Sequence, residues 1–156
     1  MRKKAPRKAP AAAALPAASL DLSPCNCLAL RQAARHVSQI YDRHMASEGL
    51  KTNQYSILSK LARLGPLSIN QLAGMMVMDR TTMGRAIRPM TRDKLLAVGR
   101  GEDGRSRVVR LTAIGESRFK SAQARWKEAQ REFETAYGAG EAAKLRASLA
   151  RVVVSS

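Results

Sequence analysis

Apolar side chains recur every three or four residues after about residue 25, which is the spacing of one face of a helix. The stretch Asn26–Ser47 contains neither Gly nor Pro. Its apolar positions are Leu30, Ala33, Ala34, Val37, Ile40, Tyr41 and Met45. A second apolar face covers Thr52–Leu64, and Gly49 and Gly65-Pro66 stand where the two patterns stop. The pattern therefore predicts two consecutive helices.

A pair of short helices follows, and each begins at a capping residue. Ser68-Ile69-Asn70-Gln71 matches a capping box, so we predict a helix that begins there and runs to about Met76. Asp79 is the predicted N-cap of the next helix, over Arg80–Lys94. Pro89 lies inside that helix and lacks a backbone N–H, so we expect it to kink or loosen the second half. Two short helices joined by about three residues are typical of a helix-turn-helix.

Two short runs with β character come after the helix-turn-helix. Leu96–Arg100 and Arg107–Leu111 are separated by a turn-rich segment, which predicts a two-stranded hairpin, or wing. The predicted fold class is therefore mainly α with a small two-stranded β wing. In this architecture a winged helix-turn-helix over residues 52–112 is flanked by N- and C-terminal helices.

A long helix and a shorter one complete the chain. Thr112 is the predicted N-cap of a helix over residues 113–137. Gly138 and Gly140 are expected to break it before a last helix over Glu141–Val154. The apolar side chains of the long helix step by three or four residues, a spacing typical of a seam for another helix. They are Phe119, Ala122, Trp126, Ala129, Phe133 and Tyr137.

The terminal helices carry more apolar surface than a winged helix-turn-helix can cover alone. We therefore expect residues 26–48 and 113–156 to be dimerisation helices of a two-fold homodimer. A chain without its partner would expose these seams together, so no stable monomer is expected. On this reading residues 25–156 form a single domain.

Charge directs the functional interpretation toward a polyanion. Lys and Arg number 28 against 12 Asp and Glu, which gives a net charge of +16 and a pI near 11.1. Nucleic acid is the first partner expected for such a surface. Residues 1–24 are rich in Ala, Pro, Lys and Arg and are predicted to be a disordered basic tail that can touch DNA phosphates. Most of the basic residues lie after this tail, so the folded part is basic in its own right.

Other functional classes find little support in the sequence. No apolar run of about 18 residues exists, so we expect no membrane span. The two cysteines are separated by one residue, which is neither a disulfide framework nor a structural zinc pattern. Gly-rich phosphate loops and the motifs G-x-S-x-G and H-E-x-x-H are missing, so we expect no enzyme, no cofactor and no metal. The composition is that of a protein of a reducing compartment, and we expect a cytoplasmic, nucleoid-associated one.

The hairpin region is similar to the wing of the MarR family of bacterial regulators. Asp103-Gly104-Arg105, followed after variable positions by Leu111-Thr112 and Gly115, matches the family's D-x-R and L-T-x-x-G spacing. Gly65–Ala73 resembles the family's entry into the helix-turn-helix, and the resemblance spans the chain from about Leu28. It implies an obligate homodimer that binds palindromic double-stranded operator DNA. Such proteins are usually repressors released by a small anion, a phenol or an oxidant.

We expect the helix-turn-helix and the wing to contact DNA. The second helix of the motif enters the major groove, where Arg donates to guanine and Thr meets a base edge, a methyl group or a phosphate. Arg105 has the reach to enter a minor groove, and Asp103 is expected to orient it. The alternatives are a solvated basic face, an exposed ion pair at the hairpin tip, and pure helix capping by Ser68 and Asn70. The predicted DNA-contacting residues are Ser68, Asn70, Arg80, Thr81, Thr82, Arg85, Arg88, Asp103, Arg105 and Arg107.

An architectural DNA-coating protein is the alternative function. A tail of Ala, Pro and Lys ahead of a winged helix also resembles linker histones. A coating protein needs no dimer seam, whereas the apolar seams of the terminal helices demand a partner.

Cys27 is a candidate redox-sensing residue. Cys27-Leu28-Ala29-Leu30 is similar to the C-F-A-L run that carries the reactive cysteine of the OhrR proteins, the organic-peroxide-sensing branch of the family. Tyr41 matches one of the tyrosines that flank that thiol, and the second flanking position falls at Thr52. A helix N-terminus and the nearby Arg31 favour a thiolate, which a peroxide oxidises to a sulfenic acid. The alternative is that Cys27 is a small buried hydrophobe near the dimer interface.

A reversible effector, aromatic or anionic, would need a pocket between the dimer helices and the DNA-binding lobe. The candidate lining residues are Arg35, His36, Tyr41 and Tyr55, each of which could equally be a core or surface residue.

Overall fold

The computed structural model describes residues 24–102 and 104–154, which leaves Asp103 and all of the predicted tail except Pro24 outside the description. Six α-helices and three β-strands follow one another in the described part. They are α1 (Asn26–Met45), α2 (Thr52–Leu64), β1 (Leu67–Ser68), α3 (Ile69–Met75), α4 (Arg80–Arg92), β2 (Leu96–Arg100), β3 (Arg107–Leu111), α5 (Ala113–Tyr137) and α6 (Ala139–Val154), with a 3₁₀ turn at Ala46–Glu48. The predicted fold class, mainly α with a small wing, is confirmed.

The helix starts fall where the capping residues place them. The Ser68 hydroxyl accepts the N–H of Gln71 at 3.2 Å, and the Gln71 side chain accepts the N–H of Ser68 at 2.9 Å, so the capping box forms. The side chain of Asp79 caps α4, and that of Thr112 accepts the N–H of Gly115 at 3.0 Å to cap α5. These starts could be predicted because each is set within three residues of sequence.

The end of α4 lies two residues before its predicted end, at Arg92 rather than Lys94. Lys94 has a φ of +58°, and the N–H of Leu95 bonds back to the carbonyl of Met90 at 2.9 Å, as in a Schellman motif. The end of α3 is formed in the same way around Val77, with a φ of +51°. Neither residue is glycine, so the sequence carries no signal for these left-handed turns.

Pro89 does not end α4, which continues for three further residues. The N–H of Asp93 bonds to the carbonyl of Pro89 at 2.9 Å, and the Thr91 hydroxyl bonds to the carbonyl of Ile87 at 3.1 Å. The turn after the proline is therefore bonded as a helix.

Between α5 and α6, Gly138 makes the turn alone, with a φ of +93°. The break predicted at Gly140 is wrong, because Gly140 lies inside α6.

The wing belongs to a sheet of three strands rather than two. The strand order is β1-β3-β2, and β2 pairs with β3 from Leu96 opposite Leu111 to Arg100 opposite Arg107. The two residues of β1 pair antiparallel with Val108 and Val109 of β3. A strand of two residues is too short to show a period, so the sequence could not reveal it. The pairing of β1 with β3 connects the wing to the start of α3.

One hydrophobic core joins the helix-turn-helix to the sheet and to α5. The largest fully buried side chains come from α1 to α4 and from β2 and β3. They are Met45, Ile57, Leu58, Leu72, Met83, Met90, Leu96 and Val109. From α5, Ala122 enters this core and Phe119 packs against it. The helix-turn-helix and the wing are thus held on a common support.

The terminal helices bury little of their surface within one chain. In α1 the first buried residue is Ile40, and in α6 only Ala142 is buried among the described residues. Part of the predicted α5 seam is used inside the chain, since Ala122 and Ala129 are fully buried while Tyr137 is exposed. No helix of the described residues has the length and apolar character of a membrane span.

Candidate DNA-binding surface and ligand groove

One side of α4 faces the core and the other carries basic side chains. Met83 and Ile87 are buried, whereas Thr81, Arg85 and Arg88 are exposed. At about 100° per residue, these three exposed residues lie on the side of the helix opposite the buried ones. The structure therefore brings this part of the predicted DNA-contacting set together on one surface, which also carries Arg92.

The first turn of α4 is fixed by Asp79. Its carboxylate accepts the N–H of Thr82 at 2.9 Å and the hydroxyl of Thr82 at 2.6 Å. The hydroxyl bond, followed by the backbone bond, lowers the pKa of Asp79 below its ordinary value. Since the hydroxyl proton of Thr82 is held by Asp79, that oxygen can offer DNA only its lone pairs, and its methyl group remains for apolar contact.

A small hollow of about 260 Å³ lies where the start of α3, the start of α4 and the wing meet. It is lined by Ser68, Ile69, Asn70, Arg80, Arg105, Ser106 and Arg107. Five of the predicted DNA-contacting residues thus converge, and three of these are arginines. The pairing of β1 with β3 produces this arrangement, because it places the residue before α3 beside the base of the wing. A hollow with three guanidinium groups and hydroxyl and amide donors suits a phosphate group.

The structure adds to the predicted set and leaves part of it open. Ser106 lines the hollow, and Arg100 lies with Arg105 along the wing, although neither residue was predicted to contact DNA. In the sequence, only the position of Arg100 and Ser106 near Arg105 in the hairpin could have pointed to them. Asp103 lies outside the described residues, so its expected role in orienting Arg105 remains a prediction.

A long groove separates α2 from α5 and reaches the sheet. It consists of two hollows of about 640 and 480 Å³ that share Ala62, Phe119 and Gln123. The first hollow is also lined by Leu61, Gly65, Pro66, Arg110, Leu111, Glu116 and Lys120. The second is also lined by Tyr55, Ser56, Ser59, Lys60, Arg63, Trp126 and Lys127. The groove therefore connects the long terminal helix with strand β3 of the wing.

Of the four predicted effector-pocket residues, the structure brings Tyr55 to this groove. The Tyr55 ring centroid lies 5.4 Å from that of Phe119 and 6.3 Å from that of Trp126. Burial raises the pKa of Tyr55, so its phenol stays neutral at physiological pH. Phe119 and Trp126 had been predicted only as seam residues, because the period of a helix does not distinguish a groove wall from a partner contact.

The other three predicted pocket residues lie on α1 away from these lining sets. Arg35 and His36 are exposed in the first part of α1. The hydroxyl of Tyr41 donates a short hydrogen bond to Gln130 of α5, and its pKa is raised by burial and by Glu134. Tyr41 thereby joins α1 to α5.

The two cysteines lie at the beginning of α1. The sulfur of Cys25 accepts the N–H of Leu28 at 3.5 Å and caps the helix, and Cys27 lies in its first turn. Both thiols are exposed in the single chain. Thr52, at the position of the second flanking tyrosine, bonds instead to the carboxylate of Asp42 through its N–H and its hydroxyl, at 2.7 and 2.8 Å. Within the described residues no three His, Cys, Asp or Glu side chains form a group that could hold a metal ion.

Comparison with known proteins gives consistent matches. The model of the MarR family matches residues 50–106. The transcriptional regulator MosR of M. tuberculosis, solved in complex with DNA, is 30% identical, with a TM-score of 0.77 over 84% of this chain and 95% of that one. A probable transcriptional regulator of Pseudomonas aeruginosa is 26% identical, with a TM-score of 0.75 over 85% and 99% of the two chains.

A more distant structure shares the fold. The PcaV transcriptional regulator of Streptomyces coelicolor, solved with its natural ligand, is 21% identical, with a TM-score of 0.75 over 86% of this chain and 95% of that one. No curated protein matches the chain. The family match, the identity to MosR over nearly all of its length and the winged helix confirm the resemblance seen in the sequence. The chain belongs to the MarR family of winged helix-turn-helix transcriptional regulators.

Proposed function

We propose that the protein is a homodimeric repressor that binds a palindromic operator and is released by a small molecule or an oxidant. The observation that carries the proposal is the convergence of Arg80, Arg105 and Arg107 in the hollow beside the basic face of α4. That MosR was solved in complex with DNA supports double-stranded DNA as the partner. Such a protein acts at the nucleoid, in the cytoplasm.

In this proposal α4 enters the major groove. Arg85 and Arg88 donate to base edges, where arginine pairs best with guanine O6 and N7. Arg80 and Arg107 hold a backbone phosphate in the hollow and so set the register of α4. Arg105 reaches into the neighbouring minor groove. The fixed joint between β1 and β3 makes these contacts mutually dependent, because the wing cannot turn independently of the helix-turn-helix.

The dimer is proposed from the apolar surface that one chain leaves uncovered. Leu30 of α1 is 43% exposed, and Leu149 and Val152 of α6 are 39% and 54% exposed. Two copies joined through these helices by a two-fold axis would present their α4 helices to successive major grooves, about 34 Å apart. A palindromic operator follows from that symmetry.

The signal that releases the operator is proposed to act in one of two ways. A reversible effector would bind in the groove between α2 and α5, as supported by the aromatic rings that line it. That the PcaV regulator was solved with its natural ligand supports a small-molecule signal. An organic peroxide would instead oxidise Cys27, whose place in the first turn of α1 exposes the thiol.

Selection of binding sites from random duplex DNA tests the proposal. We expect enrichment of a two-fold symmetric sequence whose half-sites lie about 10 bp apart, because the dimer presents two equivalent helices. Enrichment of an asymmetric half-site alone would contradict the dimer, and no enrichment would favour the architectural, linker-histone-like alternative. A variant in which Arg85 and Arg88 are alanine should enrich no sequence, while one in which Lys144 and Arg151 of α6 are alanine should select as the parent does.

A further inference from the structure

A row of basic residues lies along the outer side of α5. Lys120, Lys127 and Arg131 are all exposed. At about 100° per residue, they fall within about 40° of one another around the helix axis and opposite the buried Ala122 and Ala129. Because the buried alanines face the rest of the chain, the three cations point into solvent. They form the α5 basic face.

Cations from α2 extend the α5 basic face, and few carboxylates oppose it. Lys60 and Arg63 of α2 line the same hollow as Lys127. Within the described residues, none of these five cations has a carboxylate within 4.0 Å. Glu116 lies near one end of the row, and Glu134, near the other end, is paired with an arginine of α6 at 3.1 Å. The surface therefore keeps positive charge that can attract a polyanion.

The α5 basic face and the basic face of α4 point away from each other. Met83 and Ile87 of α4 and Ala122 of α5 belong to one hydrophobic core, and α2 packs against both helices. Since each helix turns its buried side toward this core, each turns its cations outward on its own side of it. A straight duplex that docks on α4 therefore does not reach the α5 basic face.

The proposed dimer leaves the α5 basic face open to solvent. Its interface is built from the apolar side chains that α1 and α6 leave uncovered, such as Leu30 and Leu149. A two-fold axis through the α5 basic face would bring like charges together, which opposes association. The dimer thus presents two α4 helices and, separately, two α5 basic faces.

The length of the row suits a long, regular polyanion. Lys120 and Arg131 are eleven residues apart, so the row spans about 16 Å of the helix. Each strand of a DNA duplex has one phosphate per about 3.4 Å of its axis, so the row lies along several phosphates. Flexible lysine and arginine side chains on a convex helix contact a phosphate backbone without reading bases.

We infer that the α5 basic face binds a second DNA duplex through its phosphates, so that one dimer bridges two segments of DNA. The inference rests on the contact of α4 with the operator proposed above and goes beyond it. In the bridged complex α4 selects the sequence, whereas the α5 basic face accepts a duplex of any sequence. The protein thereby joins its operator to another part of the DNA.

A capture assay tests the bridge. Duplex carrying the selected operator is immobilised and loaded with the protein, and a labelled duplex of unrelated sequence is added at about 50 mM salt, where phosphate contacts are strong. We expect the parent protein to capture the labelled duplex. Raising the salt to about 200 mM should release this duplex while the protein stays on its operator, because binding through phosphates alone is the more salt-sensitive.

Matched variants assign the capture to the α5 basic face. Lys127→Gln combined with Arg131→Gln should capture about tenfold less labelled duplex and should lower the slope of log affinity against log salt by about 2, since two phosphate contacts are lost. Its operator affinity should equal that of the parent. Lys144→Gln combined with Arg151→Gln removes the same charge from α6 and should behave as the parent does. All variants keep the basic residues 1–23, so any contribution of that segment is common to them.

Three results would overturn the inference. The first is undiminished capture by the α5 variant, or an equal loss in the α6 control. The second is a loss of operator affinity in the α5 variant, which would place α4 and the α5 basic face on the same duplex. The third is a preference of the parent for labelled polyglutamate over the duplex, which would indicate an acidic protein as the partner.

Failure of the bridge is distinguishable from failure of the proposed function. A protein that selects an operator but captures no second duplex would refute the bridge alone. If no operator is selected, the regulator proposal fails. The same comparison of variants on an immobilised duplex of random sequence then still decides whether the α5 basic face holds DNA.

Discussion

Gly115 is the residue whose identity the local structure restricts most clearly. A Cβ atom at this position would lie 2.0 Å from the carbonyl oxygen of Leu95, which is a backbone atom and cannot swing aside. The close approach arises because Thr112 donates its hydroxyl to the carbonyl of Lys94 at 2.5 Å and its N–H to that of Leu95 at 3.2 Å. The spacing of Thr112 and Gly115 thus has a physical reason: it fastens the start of α5 to the end of α4.

We predict that Gly115→Ala lowers the free energy of unfolding by about 2 kcal/mol or more, because backbone must move to admit the methyl group. Gly140→Ala is the matched control, since nothing lies within 4 Å of a Cβ there and α6 is helical. It should raise the free energy of unfolding by up to about 1 kcal/mol. Denaturant unfolding of both variants measures the difference. A Gly115→Ala protein as stable as its parent would show that α5 does not approach Leu95 so closely.

We predict that an organic hydroperoxide abolishes DNA binding of the parent protein through Cys27, because its exposed thiol is accessible to the peroxide. Cys27→Ser should keep its affinity for DNA after treatment, measured by gel shift. Cys25→Ser is the control, since Cys25 caps α1 and precedes the helix. If treated parent protein still binds DNA, the redox interpretation is wrong and the reversible effector remains.

At the scale of elements, the sequence predicts what short segments determine. The starts of α3, α4 and α5 follow from Ser68, Asp79 and Thr112, whose caps need only nearby N–H groups. Strand β1 and the left-handed turn at Lys94 escaped prediction, because the first depends on a distant strand and the second on residues that usually avoid that backbone conformation.

In the candidate site, too, only the part that nearby residues determine could be predicted. The basic face of α4 follows from helical spacing, which is local. The phosphate hollow joins residues from Ser68 to Arg107, and only the folded sheet brings them together. Of the residues that line the groove, the sequence predicted only Tyr55 as a pocket residue. Arg110 and Lys127 are distant in sequence, and a basic residue that lines a groove cannot be distinguished in the sequence from any other surface cation.

The joint between α1 and α2 gives a prediction for pH. Asp42 is partly desolvated, but its hydrogen bonds from Thr52 and the nearby Lys51 outweigh that effect and lower its pKa below 3.8. A depressed folded pKa means that the carboxylate stabilises the fold above pH 3.8 and loses this effect as the pH falls through the folded value. We therefore expect Asp42→Asn to be less stable than the parent at pH 6.

The difference in free energy of unfolding between parent and Asp42→Asn should shrink as the pH falls below about 4. Denaturant unfolding between pH 2.5 and 7 measures it, with Asp93→Asn as the control at an exposed carboxylate paired only with its neighbour Arg92 in the described part of the chain. A difference that is constant over this range would show that the charge of Asp42 contributes nothing to the joint.

At the scale of the whole molecule, the uncovered surface of the terminal helices is the main consequence of the fold. We predict a homodimer at micromolar concentration, and we expect Leu149→Asp to weaken it because the charge would enter an apolar interface. Leu64→Asp is the control, since Leu64 is 54% exposed and lies outside the terminal helices. Sedimentation equilibrium distinguishes a species of 17.0 kDa from one of twice that mass. A folded parent monomer at this concentration would contradict the prediction.

The net charge of +16 guarantees attraction to any DNA, so affinity alone cannot identify a regulator. Sequence-specific binding is measured by the ratio of dissociation constants for the selected palindrome and a scrambled duplex of the same composition, at about 150 mM salt. We expect the palindrome to bind about 10³-fold or more tightly than the scrambled duplex, and the loss of Arg85 and Arg88 to remove most of this ratio. Equal dissociation constants for the two duplexes would contradict it, because a surface that reads only phosphates cannot distinguish them.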